Sequence, residues 1–432
     1  MDSLSATLAF LPQLIDLMMS NARNLAFAEA SHNDAFTAAQ QAAQEASDQL
    51  GTEASWALAF GGGRHDPVAL LAGLRTVLGD IPVVGGSTAG LITANGTSLS
   101  GFECGLILFG PSLMPGAIVA ETGLCDMRAT GKRLGTALRD ACPEATTILL
   151  LYDSLHTVSP RELHVASPLV DGLHDGLGDL EAAVIGAGTL GDLNMEISVV
   201  FDGQAPCQHT AVALVLPARL RSHIRITHGC YPASDFMTIT RIEGARVLEL
   251  DGRPALEVAA ERLKIPLAEI AQLSPATLPL ALGEKQGAPY APFSDDAYNN
   301  RLVVGADAAS GALILFEADF RVGTRVQLMD IDTDRMIDSA REQTERLLAE
   351  LGDARLEFGL YIDCIGRAMA FNGLDEDESA PVRTLVGARC PLLGFFSGVE
   401  IAPIRDRCRP LDWTGVLAVF TTTPDDSPGE AC

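Results

Sequence analysis

The sequence predicts an α/β fold of the mixed α+β kind, in which two halves of mixed β-sheets are layered with α-helices. Three observations support this prediction. The 432 residues are enough for two or three domains. Short apolar strands alternate irregularly with amphipathic helices. Aromatic residues make up only 5% of the chain whereas glycine occurs 41 times, a balance that suits packed α/β layers better than an aromatic-rich sandwich.

The first half begins with helices. Apolar residues at helical spacing predict an N-terminal helical extension over 1–32. Asn33 and Asp34 then predict the N-cap of an Ala/Gln-rich helix that ends near Gly51, inside a first domain that spans 33–274. Further along, the patterns predict strands at 56–60, 81–84, 102–109, 117–121, 147–152, 182–185, 197–201 and 211–216, a hairpin at 238–242 and 246–250, and helices at 68–78, 131–142, 163–177 and up to 263.

The second half follows a stretch rich in proline and glycine. That stretch, 275–292, predicts a linker, and a second domain is expected over 293–424 with a tail at 425–432. Gly352 is expected to cap a long helix that ends at Leu351. The other elements expected here are strands at 302–305, 312–317, 355–362, 369–373 and 415–421 and a helix at 382–385.

Charge and cysteine content exclude several classes of protein. The net charge is −26, so nucleic acid would be repelled unless a basic stripe existed, and the densest basic segment, 405–409, is short and broken by an acid. Nine cysteines without CxxC pairs indicate reduced thiols rather than a disulfide framework. Because the N-terminus lacks a basic region and no 18-residue apolar run occurs, we expect a soluble, cytoplasmic protein that binds neither nucleic acid nor membrane.

The residues 186–191 match the GxGxxG pattern of dinucleotide-binding proteins. That pattern requires a helix immediately afterwards, whose N-terminal N–H groups hold the pyrophosphate. The chain instead continues into the β-branched run 197–200, which is typical of a strand. We therefore predict a tight glycine loop between strands and no dinucleotide site.

A second glycine-rich segment runs from Gly85 to Gly90 and is predicted to be a loop. Glycines let backbone N–H groups approach a ligand, and neighbouring hydroxyls can hydrogen-bond to it. This indicates either ligand contact or a plain turn at the strand exit. The segment misses the hydrolase pattern GxSxG by one residue, and no histidine is tied locally to its serine. Its candidate ligand-binding residues are Gly86, Ser87, Thr88, Ala89 and Gly90.

One cation and one anion lie beside glycine turns in the second half. Arg367 ends the segment Cys364-Ile365-Gly366-Arg367, and Glu400 follows Phe396-Ser397-Gly398-Val399. Such a pair could hold the two ends of an amino-acid-like zwitterion, since arginine binds carboxylates bidentately and glutamate accepts from ammonium. The alternative is that Arg367 and Glu400 pair with each other as a structural bridge. The candidate ligand-binding residues of this half are Cys364, Arg367, Phe396, Ser397 and Glu400.

Histidine and cysteine spacing predicts no metal site, because neither HExxH nor His-x₃-His occurs. Two Cys-Pro dipeptides are present, Cys142-Pro143 and Cys390-Pro391, and such dipeptides recur in haem-regulated proteins. No cofactor is required by these patterns.

Taken in order, several motifs resemble those of the FIST family, whose two parts are called FIST N and FIST C. The resemblance covers about 33 to 421 and leaves residues 1–30 outside, which suggests that this segment contacts a partner. The chain has Val399 where many members have glycine, so transfer of a role to Glu400 is weakened. The motifs are Val83–Gly90, the strand at 102–109, Ile185–Gly188, Leu250–Ala255, Cys364–Arg367, Pro391–Gly398 and Glu400–Pro403.

The resemblance implies a non-catalytic bacterial sensor. Such a protein would bind a small, amino-acid-like metabolite and signal in trans to a partner such as a histidine kinase or a cyclase. Some members resemble haem-binding nitric oxide sensors that act on histidine kinases, which is one alternative. A hydrolase that uses Ser87, and a scaffold without any ligand, are the others.

Overall fold

The computed structural model describes residues 23–270, 280–369, 377–405 and 407–422. Helices and mixed sheets alternate through these residues, which confirms the predicted α/β class. The helices are α1 (Ala35–Leu50), α2 (Pro67–Leu78), α3 (Met127–Ala141), α4 (Ala166–Leu177), α5 (Ala255–Leu263), α6 (Leu267–Ile270), α7 (Thr333–Leu351) and α8 (Ala380–Gly387), with 3₁₀ turns at Pro111–Leu113, Leu124–Asp126, Asp295–Ala297 and Ile365–Arg367.

The strands are short and numerous. Up to residue 215 they are β1 (Leu25–Ser31), β2 (Trp56–Gly62), β3 (Val83–Thr88), β4 (Leu91–Thr93), β5 (Gly96–Ser98), β6 (Glu103–Phe109), β7 (Ala117–Thr122), β8 (Thr147–Asp153), β9 (Leu155–Val158), β10 (Arg161–Leu163), β11 (Ala183–Thr189), β12 (Val200–Gly203), β13 (Pro206–Cys207) and β14 (Thr210–Val215). Beyond it they are β15 (Leu220–Thr227), β16 (Cys230–Pro232), β17 (Met237–Glu243), β18 (Arg246–Leu250), β19 (Arg253–Pro254), β20 (Leu280–Lys285), β21 (Tyr298–Asp307), β22 (Ala312–Leu315), β23 (Arg325–Ile331), β24 (Leu356–Cys364), β25 (Leu392–Ser397), β26 (Val399–Ile404), β27 (Arg407–Leu411) and β28 (Gly415–Thr422).

These strands form three six-stranded sheets and one larger sheet. Sheet 1 has the order β1-β6-β2-β3-β12-β13, and sheet 2 has the order β27-β26-β11-β8-β14-β7. Sheet 3 has the order β15-β28-β24-β25-β4-β5. The fourth sheet contains β16 to β18 and β20 to β23, and β9 pairs only with β10 in a separate hairpin.

The two predicted halves exchange strands. The hairpin of β4 and β5 comes from the first half but completes sheet 3, where β4 pairs with β25. In return β26 and β27 of the second half extend sheet 2, where β26 pairs with β11. The predicted linker 275–292 is wrong in one respect. Its residues 280–285 form β20, which pairs with β21 and β23.

Three other predictions need correction or lie beyond the structure. Residues 25–31, expected to be helical, form β1, because their backbone groups pair along β6 and this tertiary pairing overrides the helix propensity of alanine. The expected loop at 85–90 is strand as far as Thr88. The helical prediction for 1–22, most of the strand at 369–373 and the tail at 425–432 lie outside the described residues.

Helix α1 shows how the local signals act. The Asp34 carboxylate accepts a hydrogen bond from the Thr37 N–H at 2.8 Å, and Gly51 ends the helix in the left-handed region with φ of 68°. Its buried face consists almost wholly of alanine, so the helix can pack closely on β1 and β6. No helix among the described residues is both long enough and apolar enough to cross a bilayer.

The three six-stranded sheets share one apolar core. The ring of Phe60 on β2 stacks on that of Phe395 on β25 with centroids 3.8 Å apart. Phe109 stacks on Trp56 at 3.9 Å and meets Phe358 edge to face at 5.5 Å. Since the pairs of Phe60 with Phe395 and of Phe109 with Phe358 join residues from both halves, the core holds sheets 1 and 3 together.

Candidate functional site

A narrow pocket opens at the ends of β2 and β3. It has about 10 Å³ of open space, which is room for about one water molecule. Its walls are the glycine-rich end of β2, the first turn of α2 and the residues just before β12. The lining residues are Gly61, Gly62, Gly63, His65, Pro67, Leu70, Ser87, Ile197, Val199 and Phe201.

His65 is the unusual member of this pocket. It is 6% exposed, and neither Nδ1 nor Nε2 has a hydrogen-bond partner among the described residues. An unsatisfied buried polar group costs about 1–3 kcal/mol, so such a group in a native protein requires an explanation. His65 was not among the predicted site residues, although it follows the segment Gly61–Arg64 and immediately precedes the Asp66 N-cap.

Ser87 lines the same pocket but is not activated. Its Oγ accepts from the Val199 N–H at 3.0 Å, and its closest acceptor is the Val199 carbonyl at 3.4 Å. A serine nucleophile needs a base within hydrogen-bond reach. No such contact to Ser87 exists in the part of the chain described, so the geometry gives the hydrolase alternative no support.

The residues next to Ser87 contact the second half of the chain. Thr88 is fully buried, and its Oγ1 donates within hydrogen-bond distance of the Phe396 carbonyl, 3.0 Å away, and of the Gly90 carbonyl, 2.7 Å away. The Phe396 N–H donates in turn to the Gly90 carbonyl at 3.1 Å. Side chains alternate along a strand, so β3 presents Ser87 to the pocket and Thr88 to β25. The two predicted glycine segments thus meet.

Gly86 and Ala89 are structural neighbours of this contact. Gly86 pairs with Val200 across β3 and β12, and a Cβ at Gly86 would lie closer than 3.0 Å to the side chain of Thr189. Ala89 is buried in an apolar cluster with Phe396. Neither lines the pocket.

Arg367 is fully buried and held by protein groups. Its guanidinium pairs with Glu378 and lies 3.4 Å from Asp363, and it donates to the Thr227 carbonyl at 2.7 Å. Burial alone would lower the pKa of Arg367, but the Glu378 and Asp363 carboxyls raise it above its usual range, so it stays charged. Burial, together with Glu378, raises the pKa of Asp363 well above its usual range.

Glu400 is also fully buried, with its own partners. It accepts from the Ser397 Oγ at 2.7 Å and from the Thr414 N–H at 3.3 Å, and burial raises its pKa well above the usual range. Cys364 is half-buried at the end of β24. The expected zwitterion clamp needs correction for this conformation, because neither charged group is accessible and Arg367 pairs with Glu378 rather than with Glu400.

The GxGxxG segment is strand rather than loop. Gly186 and Gly188 lie within β11, which pairs with the parallel strand β8. A Cβ at Gly186 would lie closer than 3.0 Å to the carbonyl oxygen of Leu150, so the glycine permits close packing of the strands. The residues that follow it, 190–199, are not helical and lead into β12, as the β-branched run after the glycines predicts.

The FIST N model matches residues 55–253 and the FIST C model matches residues 255–403. The chain belongs to the FIST family. FIST domains are small-ligand sensory domains. In these terms the pocket lies within FIST N, whereas Phe396 belongs to FIST C.

Two relatives of this FIST protein come from mycobacteria and are named only as uncharacterised proteins. A protein of Mycobacterium bovis is 27% identical over 394 residues, which is 90% of this chain and 96% of the relative, and one of Mycobacterium tuberculosis matches to the same extent. Among solved structures, a chorismatase covers 92% of this chain and 98% of its own at 11% identity and a TM-score of 0.32. A cyanuric acid hydrolase from A. caulinodans covers 93% and 99% at 8% identity and 0.34. TM-scores this low support no argument about activity.

The Cys-Pro dipeptides of this FIST protein do not fit an axial haem ligand. Cys142 Sγ packs so closely on Gly116 that an added Cβ there would lie 2.9 Å away, and Cys390 Sγ lies 3.8 Å from the Val386 carbonyl. Burial raises the pKa of Cys390 to about 12, which disfavours the thiolate that binds metals.

Asp412 provides a pH-dependent test of the buried ionic group that it forms with Arg301. Burial raises the pKa of Asp412 to about 7, although the nearby positive charge of Arg301 lowers this pKa in part. Between about pH 4 and about pH 7 the folded protein therefore retains a proton that the unfolded chain releases, so this group makes stability fall as pH rises. We expect the free energy of unfolding of Asp412→Asn, measured in urea, to rise relative to that of the wild type by up to about 4 kcal/mol as the pH is raised from about 4 to about 8. A pH-independent difference would contradict the assignment.

Proposed function

We propose that this FIST protein is a non-catalytic sensor that binds a small, amino-acid-like metabolite in the pocket of His65 and Ser87 and signals in trans to a partner such as a histidine kinase or a cyclase. The observation that supports this most strongly is the pair of unsatisfied nitrogens of His65 in a pocket of a sensory domain. We place the protein in the cytoplasm, where its unpaired cysteines would remain reduced.

The chemistry of the pocket favours a polar ligand with an apolar portion. His65 can donate to a carboxylate or accept from an ammonium, depending on its tautomer. Ser87 lines the same pocket, and the remaining walls are three glycines and the apolar residues Pro67, Leu70, Ile197, Val199 and Phe201. A ligand that satisfies His65 recovers the free energy that the empty conformation loses.

Because the pocket is narrow, ligand binding would have to move its walls, and this movement could act as the signal. Because the open space admits about one water molecule, a metabolite can enter only if the walls move apart. The β3 wall moves Ser87 together with its neighbour Thr88, which is bonded to β25 of FIST C. A ligand that prefers the opened pocket would therefore shift the contact between FIST N and FIST C, and a partner could bind the shifted form.

A thermal-shift screen of polar metabolites tests the proposal. A ligand at a hundredfold excess over its Kd adds about 2.7 kcal/mol, which raises the Tm of a chain of this size by about 3 °C. We expect amino-acid-like compounds to produce such shifts in the wild type. The variant His65→Leu should lose them, because its side chain cannot hydrogen-bond.

The matched control is His223→Leu, since His223 is half-buried on β15 and bonds to Thr421 instead of lining the pocket. It should retain the ligand-induced shift. The proposal would be wrong if no metabolite stabilised the wild type, or if His65→Leu, shown to be folded by circular dichroism, bound the active metabolite with unchanged affinity.

A further inference from the structure

Three histidines meet near the end of β8, and none of them lines the pocket. His156 lies on β9, His164 follows β10, and His209 precedes β14. They are far apart in sequence, which is why spacing motifs predicted no metal site. One ligating nitrogen from each lies within 4.8 Å of the others.

The cluster has the dimensions of a transition-metal site. His164 Nε2 lies 3.3 Å from His209 Nδ1. Two nitrogens bound tetrahedrally to zinc at about 2.0–2.1 Å lie roughly 3.3–3.4 Å apart, so this pair already has the required separation. His156 needs a shift of up to about 1.5 Å or a rotation of its ring to complete the set of three histidines that zinc sites with an open position use.

The backbone holds the three histidines against a common support. The His209 N–H donates to Asp153 Oδ2 at 2.6 Å, and the Leu155 N–H, next to His156, donates to Asp153 Oδ1 at 2.9 Å. The His164 N–H donates to the Ser154 carbonyl at 2.8 Å. Because all three segments are fixed to Asp153 and Ser154, the imidazoles are preorganised at the end of β8.

We propose that His156, His164 and His209 bind one divalent transition metal, with zinc the best match. The cluster consists of imidazoles only, which suit zinc, copper and nickel rather than magnesium or calcium. His164 is buried whereas His156 and His209 are more accessible, so a metal there would face solvent and keep a position open for water or an anionic ligand. The proposal is independent of the pocket at His65.

The competing explanation is a plain hydrogen bond between two neutral imidazoles, which the same 3.3 Å separation would allow. Metal titration of the untagged full chain, first freed of metal with a chelator, separates the two. We expect calorimetry to show one Zn²⁺ per chain and Co²⁺ to produce the intense visible absorption of a tetrahedral site. His164→Ala should weaken Zn²⁺ affinity by more than about tenfold.

A second variant keeps the test valid if His164→Ala does not fold. His209 is exposed and has φ of 49°, a conformation that asparagine tolerates, so His209→Asn should fold normally and still lose affinity. His223→Ala should bind Zn²⁺ like the wild type. Absence of saturable Zn²⁺ binding, or equal Zn²⁺ affinity in wild type and His209→Asn, would overturn the proposal.

Discussion

Gly85→Ala is expected to destabilise the protein by more than about 3 kcal/mol or to prevent folding. Gly85 has φ of 144°, which a residue with a side chain rarely adopts, and a Cβ there would lie closer than 3.0 Å to the Ala59 carbonyl oxygen of the neighbouring strand β2. Backbone cannot move aside without breaking the pairing of β2 with β3, so overpacking adds to the strain. The midpoint of urea denaturation, followed by circular dichroism, measures the effect.

Gly96→Ala is the matched control for Gly85→Ala. Gly96 has φ of 155°, yet an added Cβ would meet no atom within 4 Å. Gly96→Ala should therefore lower the free energy of unfolding only through backbone strain, by about 1–2 kcal/mol. Equal losses in the two variants would show that the close approach to Ala59 contributes nothing.

The second large effect is expected for Arg367→Met. This change leaves Glu378 and Asp363 buried without their cation, and breaking a buried pair in this way costs about 3–5 kcal/mol. The measurement is again the free energy of unfolding in urea. A partial recovery is expected when Glu378→Gln is added, because the second change removes the uncompensated charge.

Arg241→Met is the control on the surface. The Arg241 side chain is 59% exposed and pairs with Glu243 and Glu249, so its loss should cost less than about 1 kcal/mol. Should Arg367→Met prove as stable as Arg241→Met while ligand affinity falls, Arg367 would be a ligand residue as the sequence suggested, and the structural role would be wrong.

Local patterns predicted most of the individual elements. The Asp34 cap, the Gly51 end of α1 and the hairpin of β17 and β18 follow from short-range signals that act within a few residues. The placement of the strands did not follow. Nothing near residues 91–93 indicates that they pair with β25, some 300 residues later, since strand pairing is decided by the shape of the whole core.

The site was predictable only in part. The glycine segments around Ser87 and Phe396 were identified from sequence, and the structure places them in contact. Arg367 and Glu400 drew attention as isolated charges, but their partners Glu378 and Thr414 are supplied by tertiary packing. His65 and the three-histidine cluster were missed, because burial and proximity in space, which make a histidine unusual, have no signature in spacing.

Amide hydrogen exchange tests most directly whether the His65 pocket is coupled to FIST C. The Phe396 N–H, which donates to the Gly90 carbonyl, reports on the contact between β3 and β25. With the most stabilising metabolite of the screen bound, we predict that exchange changes in 392–398 as well as around the pocket. Altered exchange confined to 61–70 and 197–201, with 392–398 as in the free protein, would contradict the coupling.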